Sequence, residues 1–147
     1  MLDLSMNFDL NSISTSQIII KPWGQETIYT TPDLKYTFKQ IQINDGARLS
    51  LQSHTEKVET FVLIEGQADL AIGPDADHLE TLHMEPKKGY NIPVGLVHRM
   101  IGVQNAIILE ASTPETGTTY RYQDDYQRPD ETEILRQQKN RGWNPNQ

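Results

Sequence analysis

Residues 47–66 read ARLSLQSHTEKVETFVLIEG. The stretch begins and ends with the β-branched, aliphatic and aromatic residues that suit strands. Gln52 and His54 stand two apart, so a strand carrying both projects them to one face. Thr55–Val58 reads as a turn. A second, antiparallel strand starting at Glu59 brings that carboxylate to the same place, and Gly66 closes the apolar run. A further imidazole is available from His98 in IPVGLVHRM, on a later strand. One carboxylate, one amide oxygen and two imidazoles form a mixed N/O donor set. Such a set suits Zn, Mn, Fe, Ni or Co and does not choose among them. It needs neutral imidazoles, so binding weakens in acid. Spacing alone leaves Glu56 as an alternative to Glu59. It also allows Gln52 to be an ordinary hydrogen-bonded strand residue and Glu59 a solvated turn residue.

Working outward, strand-like segments recur at short intervals. ETIYTT and KYTFKQIQI precede the stretch; QADLAI, HLETLHM, YNIP, LVHRMIGV and AIILEAS follow it. In the second, Tyr36, Phe38 and Gln40 alternate with Thr37, Lys39 and Ile41, the period of a strand. GPDAD and EPKKG mark turns between strands. At least eight short strands in 147 residues, with 9 glycines and 8 prolines scattered among them, predict an all-β sandwich or barrel with one core. The tail RPDETEILRQQKNRGW carries acids at its start and Lys139 and Arg141 near its end, the charge order that a helix dipole favours. One short helix is expected over about 130–139. The expected organisation is a flexible arm over 1–17, a barrel over 18–128, and a helix and tail over 129–147.

Composition narrows the function classes. With no cysteine the chain has neither disulfides nor thiolate metal sites, as befits a reducing cytosol. A formal charge of -7 argues against general nucleic-acid binding. No apolar run reaches the roughly 18 residues of a membrane span, and the N-terminal residues lack the basic and apolar regions of a secretory leader. No nucleic-acid or membrane partner is therefore expected, and a cytoplasmic location is.

The order GARLSLQSHTEKVETFVLIEG, then PVGLVHR, resembles the two motifs of the cupin superfamily. That resemblance implies a double-stranded β-helix, or jelly roll, with a metal inside it. Gln52 stands where most cupins have histidine. The wording GARLSLQ-x-H with IP-x-G-x-x-HR, and the segment Lys21-Pro22-Trp23-Gly24 with Glu26, look like the cupin portion of type II mannose-6-phosphate isomerases. The closing segment around Arg121, Asp124, Asp125, Tyr126 and Arg128 does too. The likeness spans roughly residues 20–128. It implies Gln52, His54, Glu59 and His98 as ligands of a divalent transition metal. Against that family no preceding nucleotidyltransferase domain is expected here, Thr55 and Glu56 stand where histidines are usual, and Thr60-Phe61 stands where His-Trp follows the glutamate.

The activity implied is aldose–ketose isomerisation of a hexose 6-phosphate, for which no residue nominates itself as catalytic base. The alternative is a sugar- or sugar-phosphate-binding cupin of carbohydrate or polysaccharide metabolism; iron-dependent dioxygenation ranks last. A sugar phosphate requires cationic anchors. Arg48, four before Gln52, Lys57, Arg99, Arg121 and Arg128 are the candidates. Arg99 is expected on the face opposite His98, and Arg121 and Arg128 have an alternative use as partners of the neighbouring acids. Glu110, ending an apolar strand, is expected to close the site or to pair with a buried cation. Pro22-Trp23-Gly24 reads as a turn whose indole covers one end of the barrel. His78 and His83 read as surface residues. Cupin barrels often pair through a sheet edge, so a homodimer is expected.

Overall fold

The computed structural model describes residues 13–146. The expected arm falls largely on residues 1–12, outside the described residues, and its last residue, Gln17, already opens a strand. The strands are β1 (Gln17–Lys21), β2 (Gly24–Ile28), β3 (Thr37–Ile43), β4 (Leu51–His54), β5 (Glu59–Gly73), β6 (Glu80–His83), β7 (Gly89–Ile92), β8 (Val97–Ser112) and β9 (Thr119–Gln123). Two pairs of segments that read as separate strands in the sequence are continuous. TFVLIEG and QADLAI form β5, and LVHRMIGV and AIILEAS form β8.

Those two long strands build the architecture. They pair antiparallel along their whole length, with bulges between Leu63 and Ala68. The bulges bend the pair, which lets each strand serve two sheets. One sheet runs β1-β2-β3, then the C-terminal half of β8, the N-terminal half of β5, and β7. The other runs β9-β4, then the N-terminal half of β8, the C-terminal half of β5, and β6. Side chains from both meet in a single core: Trp23, Ile41, Ile43, Phe61, Leu63 and Ile108 from the first, Ala68, Leu70 and Met100 from the second. This is the all-β double-stranded helix expected from the sequence.

At the bend, Gly66 has φ +74°, and a Cβ there would lie 2.1 Å from the backbone oxygen of Asn105, so only glycine fits. The Pro22-Trp23-Gly24 turn joins β1 to β2, and its indole is buried in the core, the structural role the sequence suggested.

The interior is polarised along the barrel. On β3 the inward positions are Lys39, Ile41 and Ile43, while Phe38 faces out and is 37% exposed. The aliphatic pair joins the apolar core. Lys39 enters a cluster of buried charge with Glu26, Lys57, Glu59 and Glu110.

The C-terminal helix is shorter than expected. Helix α1 is a single turn, Glu133–Arg136, capped by Thr132, whose side chain accepts from the Leu135 amide. A 3-10 turn follows at Lys139–Gly142. No residue of either is buried, so no apolar face supports a longer helix. Asn140, Arg141 and Gly142 all take positive φ, which ends regular winding. Among the described residues no helix is long and apolar enough to cross a membrane.

Candidate metal centre

His54 and Glu59 converge with His98, and Gln52 lines the cavity beside them. Gln52 and His54 lie on β4, and Gln52 sits directly across from His98 on β8. Glu59 is the first residue of β5 and belongs to the facing sheet. His54 Nε2 lies 2.9 Å and His98 Nε2 2.8 Å from the same oxygen, Glu59 Oε1. All three side chains are buried, and one ligand atom from each falls within 4.8 Å of the others. The two imidazole rings stand 5.2 Å apart, and Phe61 walls the His98 side at 6.0 Å. Gln52 lines the same cavity, its amide oxygen accepting from Ser50 Oγ at 2.8 Å.

Hydrogen bonds behind the rings decide which nitrogen faces the centre. A backbone carbonyl can only accept, so the 2.9 Å contact from His98 Nδ1 to the Leu96 oxygen places the proton on Nδ1. In the neutral ring Nε2 then carries a bare lone pair. That lone pair is buried, makes no hydrogen bond, and faces a carboxylate oxygen. Two buried acceptors this close need either a proton or a metal ion to satisfy them. His54 Nδ1 is held by Thr119 Oγ1 at 2.9 Å, which leaves its Nε2 inward as well. Burial lowers the His54 pKa and outweighs the pull of Glu59, which favours the neutral ring that a metal needs. Two oriented imidazoles, a carboxylate and an amide oxygen therefore fit a divalent transition metal.

Around this lies a shell of buried ion pairs. Lys57 Nζ reaches Glu59 Oε2 at 2.7 Å and Glu110 Oε1 at 3.0 Å. Lys39 Nζ reaches Glu115 at 2.7 Å, Glu26 at 3.3 Å and Glu110 at 3.6 Å. Burial opposes the charge on Glu59, but Lys57 and the two histidines prevail and hold its carboxyl well below the usual range. Burial likewise opposes the charge on Lys57, and Glu110, Glu59 and Glu115 prevail, holding it well above. For Glu110 burial wins over Lys39 and Lys57, and its carboxyl is pushed up to about 7.

The other candidates separate cleanly. Lys57 and Glu110 line the cavity with the ligand set. Arg48 does not. The strand breaks around Leu49–Ser50, and Arg48 pairs outside the barrel with Asp125 at 2.7 Å, each side chain 41% exposed. The face-sharing expected from a spacing of four needs an unbroken strand, and none is there. Arg99 is buried at the cavity wall, but its guanidinium is occupied by the carbonyls of Leu49 and Gln123. Arg128 pairs with Asp124, as the neighbouring acids suggested, whereas Arg121 pairs with Glu131, ten residues on; both also line the cavity. His78 and His83 are exposed and paired with Asp75 and Asp69.

Sequence reasoning missed Lys39, Glu115, Glu131 and Arg141, which complete the charged shell. Lys39 carried a signal, since it alternates in phase with the apolar Ile41 and Ile43. The tail residues carried none.

Residues 9–131 match the family described as mannose-6-phosphate isomerase C-terminal. Alginate biosynthesis protein AlgA of Pseudomonas aeruginosa is 31% identical over 112 residues, 75% of this chain and 21% of that protein. A mannose-1-phosphate guanylyltransferase of Sinorhizobium fredii is 30% identical over 107 residues, 73% of this chain and 19% of that one. The chain thus spans about a fifth of the length of these curated relatives. Among solved structures, oxalate decarboxylase OxdC of Bacillus subtilis superposes with TM-score 0.61 at 16% identity, over 72% of this chain and 30% of its own. CapF, a capsular polysaccharide assembling protein of Staphylococcus aureus, superposes with TM-score 0.56 at 16% identity, over 80% and 34%. At such identities these two speak to the fold alone.

Proposed function

This chain belongs to the mannose-6-phosphate isomerase C-terminal family, and from that premise we propose that it is a metal-dependent aldose–ketose isomerase of a hexose 6-phosphate. The observation that carries the reading is the inward-facing Gln52, His54, Glu59 and His98 set beside a buried carboxyl, Glu110, with a pKa near neutrality. A divalent metal held by those four residues would supply a Lewis acid for the sugar's C1 and C2 oxygens. Glu110 takes the proton from C2 and returns it to C1, and its pKa of about 7 suits both directions at neutral pH. Lys39 and Lys57, at 3.6 and 3.0 Å, hold that carboxyl in place. Lys57 also fixes the outer oxygen of Glu59, leaving Oε1 to face the imidazoles. Arg121, half-buried, with two nitrogens bonded to Pro129 and Glu131 and its Nε free of any partner among the described residues, is the candidate phosphate anchor; Arg48 lies outside the cavity, and the Arg99 Nε is taken by Leu49.

The test is conversion of mannose 6-phosphate to fructose 6-phosphate by metal-replete protein, with Glu110→Gln and His98→Ala alongside. Turnover lost in both variants, with metal lost only in His98→Ala, supports the reading. No turnover by the metal-replete wild type would reject it. The departures at Thr60 and Phe61 favour a second reading, a module that binds sugar phosphate without turnover; calorimetry showing binding by the inactive protein would establish it. We also propose a homodimer through the β1 edge. Among the described residues that strand pairs with β2 alone and exposes Ile18 and Ile20, and light scattering at a monomer mass would reject pairing.

A further inference from the structure

The cavity at the centre measures about 50 Å³. That holds a few waters and falls far short of the roughly 300–1,000 Å³ of ordinary ligand pockets. One wall is made by Arg128 and Glu131, which follow the last strand, and by Arg141, which residues 132–146 contribute. We propose that residues 132–146 are a strap that closes the centre, and that they swing off the barrel to admit any ligand larger than water. The proposal rests on the centre being the ligand site, and it concerns how that site is opened.

The strap has a fixed root and a polar fastening. Its root is Glu131, whose amide and carbonyl both pair with Thr119 on β9 at 2.9 and 3.0 Å. Beyond it, two arginines clasp the barrel. Arg136 donates to the carbonyls of Glu115 and Gly117 at 2.9 and 3.2 Å and to Glu131 Oε1 at 3.1 Å. Arg141 pairs with Glu115, with Glu131 at 3.2 Å and with Glu26 at 3.9 Å. The anchoring carboxylates belong to the barrel's own charged interior, since Glu26 and Glu115 also hold Lys39.

Apolar burial contributes little to this docking. Neither α1 nor the 3-10 turn has a buried residue, and Gly142 packs back on Leu135 within the strap itself. The segment that inserts Arg141 is conformationally demanding, with Asn140 and Arg141 both left-handed at φ 48° and 53°. An element fastened by charge-assisted bonds, without an apolar seam, opens below the free energy of global unfolding. Closed, it keeps bulk water from His54 and His98; open, it exposes the centre.

The four histidines provide a built-in assay, because two lie in the centre and two are exposed. Metal-free protein is treated with diethyl pyrocarbonate, and ethoxycarbonylation at each histidine is followed by mass spectrometry. In wild type His54 and His98 should label far more slowly than His78 and His83. In Arg141→Gln the rates at His54 and His98 should rise by about tenfold or more, as loss of charge-assisted bonds predicts. The rates at His78 and His83 should not change, and Arg141→Lys should recover part of the protection. Ile92→Val, which weakens the barrel without touching the strap, controls for global unfolding. Should Arg141→Gln not fold, hydrogen exchange on the wild type decides: amides of 133–143 must exchange faster than β5 and β8, and faster still with salt.

Equal labelling of His54 and His98 in wild type and Arg141→Gln, or a strap that exchanges only with the barrel, overturns the proposal. Neither measurement uses metal or sugar, so an inactive protein would reject the isomerase reading and leave this result standing.

Discussion

Replacing Lys39 by methionine tests the charged interior most directly. The ammonium is 2% exposed and lies within 3.6 Å of Glu26, Glu110 and Glu115. Methionine preserves most of the side chain's bulk, so the change isolates the charge. Removing one partner from a buried ionic cluster costs roughly 3–5 kcal/mol, because the remaining charges are left uncompensated. For a chain of this size that lowers Tm by roughly 6–20 °C and the urea midpoint by about 1.5–2.5 M. The loss must also depend on pH. Burial opposes ionisation of Glu26, but Lys39 and its other cations hold its folded carboxyl at about 2, and Glu115 also lies well below its ordinary value. Both folded values are depressed, so their stabilisation is complete above the unfolded value of about 4.5 and disappears as pH falls through the folded value. Without Lys39 the folded values rise, and stability at neutral pH falls while the carboxyls take up protons more readily. The deficit relative to wild type should therefore be largest near pH 7 and narrow towards pH 4. Melting followed by circular dichroism across that range measures it. A variant that melts within about 3 °C of wild type at pH 7, or a deficit that grows on acidification, would refute the picture of a dry, mutually dependent cluster.

Lys21 should behave in the opposite way. Among the described residues it has no close ion pair, and burial outweighs Glu26 to lower its pKa to about 8. Its folded value lies below the unfolded one, so the charged form is penalised at pH 7 and stability recovers as pH rises from about 8 towards 10.5. Lys21→Met should be no less stable than wild type at pH 7, with any advantage shrinking by pH 10; a large loss on urea unfolding at pH 7 would contradict this. Gly66→Ala places a methyl 2.1 Å from the Asn105 oxygen at φ +74°. It should cost at least about 2 kcal/mol in the same assay, whereas near-neutrality would mean that the β5–β8 bend relaxes freely. Arg48→Ala removes a solvent-screened pair. It should change stability by under about 1 kcal/mol and leave metal content by elemental analysis unchanged; lost metal would return Arg48 to the site.

How much was legible follows from what spacing encodes. The alternation around Tyr36–Ile41, the turn residues and the run of β-branched segments specify strands locally, and their number in one small chain predicts a barrel. The spacing of Gln52, His54 and Glu59 likewise specifies two groups on one strand and a third across a turn, and His98 falls opposite Gln52 in register. What alternation does not state is which side chains of mixed polarity turn inward: Ile41 and Ile43 point to one face of β3, Phe38 to the other. On β3 the buried set includes Lys39 and the exposed set includes Phe38, against side-chain polarity. A lysine is stable inside only because carboxylates far away in the chain surround it: Glu26 lies 13 residues away and Glu115 76. Arg48 failed for a related reason, since counting by twos holds only while the strand lasts.

By itself the sequence determined the strands, the turns and the pairing of Gln52 with His54 on one strand and Glu59 across a turn, because these depend on neighbours within a few residues and on the two-residue period of a strand. The tertiary structure alone decided which charges are buried, which histidine nitrogen faces the centre, and which residues close it. Desolvation and ion pairing are set by groups that meet across the barrel, and Arg141 of the tail reaches the cavity wall through partners, Glu26 and Glu115, that lie far from it in sequence.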